Sequence, residues 1–212
     1  MKQRASTIEN RKELRDRILD VALKLFSANG FKAVKMDDVA RALGISKRTL
    51  YETYPNKEDL IYEAFKRNIE RDMQALKEKM QGDYDTMDIL AEIFKHRIHQ
   101  MRNTNPCILE EMGTYPRVKE YIDKIKQEHS DNSIRFYQQG QEEGYIRTDI
   151  NLAMIREMSI VLSESFFENK CYLAYKPEDI FRTMMTLFLR SVCTASGIKR
   201  FDAMFQETLT MS

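Results

Sequence analysis

The chain has 212 residues, 42% hydrophobic and 32% charged, with a formal net charge of +1. With only 7 Gly, 4 Pro and no Val-rich alternating runs, it reads as a helical globular chain of one or two domains. No run approaches the ~20 apolar residues of a membrane span. Residues 1–10 hold no apolar signal core, and Cys107, Cys171 and Cys193 match no zinc spacing, which together point to a reducing cytoplasm.

Charge is unevenly placed. Residues 1–60 hold 13 Lys and Arg against 9 Asp and Glu, a net of +4, whereas residues 61–212 hold 21 against 24, a net of −3. A basic end on a mildly acidic body fits a nucleic-acid-binding head carried by a second domain.

Residues 1–10 are polar and lack periodicity, so they read as a disordered or partly ordered arm. Lys2 and Arg4, with Arg11 and Lys12 just beyond, offer cations to phosphate. A first helix is predicted over 11–29, with Leu14, Ile18, Val21, Ala22, Leu25 and Phe26 on one stripe and Gly30 as its stop. The second and third are short. Val39, Ala40 and Leu43 face inward, Gly44 ends the second helix, Ile45 plugs the turn, and Ser46 caps the third. Lys47, Arg48 and Thr49 then occupy the first turn, with Leu50 directed at the core. Two helices crossing at the small Ala40, the second offering its N-terminal residues outward, make a helix-turn-helix.

Pro55 ends this recognition helix, and Asn56 with Asp59 caps a fourth, predicted to reach residue 79 with Ile61, Phe65, Ile69, Met73, Leu76 and Met80 buried. Further helices are expected over 86–102, 107–112, 116–140, 152–170 and 177–196, about nine in all. Glu92, His96 and His99 form an E-x3-H-x2-H pattern, but its face lies opposite Ile93, Phe94 and Ile98 and reads as solvated, so no metal is expected. On the last helix, Ile180, Met184, Leu187, Phe188 and Val192 mark one apolar side, widened by Phe181, Met185, Leu189 and Cys193. Such breadth implies cover on two sides, either as a central core helix or at a dimer interface.

GISKRTLYETYPNKEDL, with LKLFSANGFKAVKMDDVA upstream, resembles the tetracycline-repressor (TetR) family of bacterial transcriptional regulators over about residues 11–65. Val34 and Lys35 depart from the family's usual Thr or Ser pair, and Arg48 stands where Gly is common. The resemblance implies an all-α protein with a three-helix DNA-binding domain at 1–60 and a helical ligand-binding and dimerisation domain at 61–212. It also implies that the eighth and ninth helices pair with their copies in a homodimer.

DNA recognition needs donors for phosphates and for base edges. Arg48 is placed to fork onto a guanine and Thr49 to touch a thymine methyl, with Lys47 beside them. Glu52 either accepts from a cytosine amine or disfavours wrong sequences. Tyr51 and Lys57 match the family's phosphate contacts, and Lys35 joins this surface. In the body, a stripe through Val118, Ile122, Ile125, His129, Asn132 and Phe136, with Phe94 and Tyr121 as neighbours, reads as an apolar pocket with polar handles. A core reading serves those residues as well.

No catalytic constellation and no cofactor motif appears, so an enzyme is not expected. The expectation is a ligand-responsive repressor that binds a palindromic double-stranded operator as a homodimer and is released by a small-molecule inducer. A helical adaptor working through protein partners is the alternative, against which Lys47, Arg48, Tyr51 and Lys57 argue.

Overall fold

Helix α1 spans Lys2–Asn29, so the arm expected over 1–10 is instead the start of a helix. Its polar residues include no Gly or Pro, and Lys, Gln, Arg and Glu are good helix formers. The structure, a computed structural model, describes residues 2–79 and 82–210. The side chains of 2–8, 109, 128–133, 167 and 205–210 fall outside that description, among them Lys2, Arg4, His129 and Asn132.

Then follow α2 (Met36–Leu43), α3 (Lys47–Thr53), α4 (Lys57–Lys79), α5 (Thr86–Arg102), α6 (Cys107–Met112), α7 (Pro116–Glu142) and α8 (Leu152–Glu168). A 3-10 turn at Cys171–Leu173 precedes α9 (Pro177–Val192) and α10 (Ala195–Thr210). The described residues are all-helical, with one isolated antiparallel bridge between Ile146 and Cys193.

The tenth helix departs from the expected nine. The helix predicted over 177–196 stops at Val192 because Cys193 turns extended and bridges to Ile146, while the Arg147 amide donates to the Val192 carbonyl at 2.9 Å. Thr194 restarts the chain, its Oγ1 accepting from the Gly197 amide at 3.2 Å as an N-cap. Gly197 is there for space: a Cβ would overlap the Tyr145 carbonyl oxygen.

The chain forms two compact units, Met1–Met73 with Asn103–Ile122, and Gln74–Arg102 with Asp123–Ser212. In the first, Ile18, Ala22, Phe26, Val39, Leu50, Leu60 and Ile61 are joined by Ile108 and Val118 in one core. Salt bridges fasten α4 to α1: Arg67 meets Asp16 at 3.1 Å and Asp20 at 3.5 Å, and Arg71 meets Asp20 at 2.9 Å. Of the stripe expected on α4, Ile61 is buried and Phe65 half-buried, whereas Met73 is exposed and Met80 lies outside the described residues.

In the second unit, Met87 and Leu90 of α5 pack with Leu189, Val192 and Cys193 and with Phe201 of α10. On α9 the inward side is set by Leu189 and Val192; Phe188 is half-buried, and Leu187, expected inside, is 64% exposed. On α8, Met154, Met158 and Val161 are exposed at 55–64%. Their i, i+4, i+7 spacing makes an outward apolar stripe. No helix of the described residues is long and apolar enough to cross a membrane.

Candidate nucleic-acid interface

Local chemistry sets the helix-turn-helix. Gly44 takes the left-handed conformation (φ 66°) that ends α2, its amide donating to Arg41 O at 3.2 Å while the Ile45 amide reaches Ala40 O at 3.1 Å. Ser46 Oγ then accepts the Thr49 amide at 3.1 Å, satisfying one of the free N–H groups that open α3. Its oxygen also lies 2.8 Å from Thr49 Oγ1, so the Thr49 hydroxyl serves the cap. Leu50 is fully buried beneath.

The outer face of α3 is charged and internally paired. Arg48 Nε donates to Glu52 Oε1 at 2.8 Å, with both side chains largely exposed. Lys47 Nζ pairs with Asp37 of α2. Tyr51 of the same helix is 45% exposed. Lys35 sits exposed at the N-cap of α2. It supplies no hydroxyl cap; its backbone amide donates instead to Asp38 Oδ2 at 2.9 Å.

Lys57 opens α4, and Asn56 caps that helix as expected, Oδ1 accepting the Asp59 amide at 2.8 Å. The Lys57 ammonium folds over the turn after α1 and donates to the Lys32 carbonyl at 3.3 Å. Burial pushes its pKa down, against the pull of the Glu111 and Asp38 carboxylates. The other six residues of the surface, Lys35, Lys47, Arg48, Thr49, Tyr51 and Glu52, all belong to the segment from the α2 cap to the end of α3.

Three residues with evident roles here escaped the reading of the sequence. Glu111 of α6, buried, accepts the Phe31 and Lys32 amides. Arg117 pairs with Asp59 and places its guanidinium 4.2 Å from the Tyr62 ring centroid. Asn105, between α5 and α6, holds the end of α1: its amide donates to Ser27 O at 2.7 Å and Nδ2 to Ala28 O at 3.2 Å. Only the Asn-Pro context marked Asn105; the other contacts span too much chain to leave a local pattern.

The body residues separate. Phe94 stacks on Phe181 (centroids 5.6 Å) and Phe136 meets Tyr137 edge-on at 5.9 Å in the second unit, while Tyr121 meets Tyr62 at 5.9 Å in the first. The side chains of His129 and Asn132 are outside the described set. Glu92 is engaged by Lys95 at 3.2 Å and Lys79 at 3.9 Å. Among the described residues no group of three His, Cys, Asp or Glu is arranged to hold a metal ion.

A capped recognition helix with an exposed, charged outer face, on a tight glycine turn, defines a helix-turn-helix DNA-binding domain. Residues 18–64 match the family model described as "Bacterial regulatory proteins, tetR family". The chain is 27% identical over 152 residues to the HTH-type transcriptional regulator UidR of Escherichia coli K12, covering 70% of this chain and 77% of that one. A TetR transcriptional regulator from Chloroflexus aurantiacus has the same fold (TM-score 0.65, 19% identity, 88% of this chain and 100% of that one). So does a proposed transcriptional regulator from Saccharomonospora viridis, solved in complex with choline (TM-score 0.70, 18% identity, 86% and 99%). Residues 18–64 thus match the DNA-binding domain of the tetR family, and the similarity over the rest of the chain supports a TetR-family transcriptional regulator. Its relatives are regulators of transcription, not enzymes.

Proposed function

We propose that this regulator is a repressor that binds a palindromic operator as a homodimer and lets go when a small molecule occupies its body. The observation that carries the DNA reading is the exposed first turn of α3, where Lys47 and Arg48 stand outward on a helix anchored by buried Leu50. In this reading residues 1–60 form the DNA-binding domain and 61–212 the ligand-binding and dimerisation domain. Arg48, Thr49 and Glu52 meet base edges, while Lys35, Lys47, Tyr51 and Lys57 meet the backbone.

Dimerisation through α8 and α9 is supported by the exposed stripe Met154, Met158 and Val161 together with Leu187. Apolar side chains so exposed in one protomer gain by being covered, and a two-fold axis brings the same stripe of a second copy to them. Of the expected ligand contacts, Tyr121 falls in the first unit, so Phe94, His129, Asn132 and Phe136 of the second are those proposed. The choline bound to the Saccharomonospora protein supports small-molecule binding within this fold. A coupling of ~1–3 kcal/mol between ligand and DNA suffices for a useful switch. No membrane partner or cofactor is part of this reading, and its setting is the bacterial cytoplasm.

Selection of bound duplexes from a random DNA pool tests it. The expected product is an inverted repeat with half-sites about one helical turn apart, bound in a salt-dependent way. Failure to retain any duplex at low salt would return the adaptor reading.

A further inference from the structure

The turn joining α1 to α2 is built around a carboxylate from much later in the chain. Gly30 ends α1 in the left-handed region (φ 84°), its amide donating to Phe26 O at 2.8 Å. The next two amides, of Phe31 and Lys32, converge on one oxygen, Oε2 of Glu111, the Lys32 bond measuring 3.0 Å. Successive N–H groups after a left-handed residue form a concave anion site, and here the protein fills it with its own side chain. Gly30 admits that side chain closely: a Cβ at residue 30 would lie 3.1 Å from Glu111 Oε2. A carboxylate only 8% exposed would be costly without such donors.

The same turn carries the carbonyl that receives Lys57. The Lys32 oxygen accepts from Lys57 Nζ at 3.3 Å, so the residue whose amide Glu111 holds also seats the ammonium with its carbonyl. We infer that Glu111 is a positioning residue for DNA binding, which fixes the Lys32 carbonyl and so places Lys57 at the phosphate backbone. The inference rests on the DNA-contacting role proposed for Lys57 and extends it to a residue that meets no DNA. The Phe31 ring, edge-on to Phe26 at 5.4 Å and to Tyr115 at 5.7 Å, keeps the turn from sliding along the carboxylate.

The test uses the full chain and a mixed-sequence duplex, because phosphate contacts are independent of sequence. Lys57→Ala is expected to reduce the slope of log affinity against log salt by about one per head. Glu111→Asp keeps the charge but withdraws the carboxylate by a methylene, and is expected to reproduce that loss. Combined with Lys57→Ala it should add no further loss. Glu111→Gln keeps an oxygen at full reach and should bind at least as well as the wild type. Circular dichroism and melting on the same samples check that all four variants are folded.

Losses that multiply in the double variant, an unaffected Glu111→Asp, or a Glu111→Gln that falls as far as Glu111→Asp would each overturn the inference while leaving the DNA-binding reading intact. A wild-type chain that ignores duplex DNA overturns both.

Discussion

Replacing Arg48 by Ala removes the longest exposed donor on the recognition helix, and its effect can be estimated. In the free protein Arg48 is bonded to Glu52 at 2.8 Å, with side-chain exposures of 88% and 60%. An exposed pair four residues apart is worth only ~0.3–0.5 kcal/mol, so releasing the guanidinium costs little. A bidentate contact to guanine discriminates by ~1–3 kcal/mol. The difference leaves ~0.5–2.7 kcal/mol per half-site, roughly twofold to nearly a hundredfold in affinity. Arg48→Ala should therefore lose preference at one base pair in each half of the operator and leave the other positions sharp. Duplex selection followed by competitive titration reads the variant. An Arg48→Ala protein that selects an unchanged motif, with all sequences weakened alike, would refute the base-reading argument and make Arg48 a phosphate contact.

The other predictions concern the body and the core. Val161→Glu on α8 should leave the protomer folded, because the side chain is 64% exposed, yet abolish the dimer; a dimer persisting in sedimentation would move the interface elsewhere. Gly197→Ala should cost ~1–3 kcal/mol by forcing its Cβ against the Tyr145 carbonyl, lowering the melting temperature by several degrees; an unchanged melt would show that the start of α10 can shift freely. Burial pushes the Cys193 thiol up to about 11, so at pH 8 an alkylating reagent should modify exposed Cys107 and reach Cys193 only on unfolding, as peptide mass analysis would report.

The head was largely legible in the sequence because its boundaries are set by neighbours. Gly44, Ser46 and Asn56 each end or start a helix through bonds within a few residues, so the end of α2 and the starts of α3 and α4 fall at those residues, and α3 stops at Thr53, two residues before Pro55. The break between α9 and α10 was not legible. Its cause is the pairing of Cys193 with Ile146, 47 positions earlier, and apolar periodicity simply runs on through such a site. The resemblance likewise marked Lys57 as a candidate phosphate contact but could not show that its ammonium rests on the Lys32 carbonyl. That depends on a turn shaped by Glu111, whose bond to Phe31 spans 80 residues. On α9, a stripe of apolar residues could not say which side a partner would cover, and Leu187 proved to be exposed.

The compact unit that holds the recognition helix is discontinuous, taking in Asn103–Ile122 along with Met1–Met73. Ile108 and Val118 complete its core, Glu111 fills its first turn, and Arg117 pairs with Asp59. For anyone grafting this reader onto another regulator's sensor, the useful cassette is therefore two pieces of chain. A chimera cut once after α4 would inherit the proposed DNA-contacting residues but would leave Phe31 and Lys32 facing a foreign α6. Operator specificity would transfer on paper while the half that stabilises it stayed behind. Exchanging both segments together is the cut that respects the packing, and it predicts which junctions a library of chimeras will tolerate.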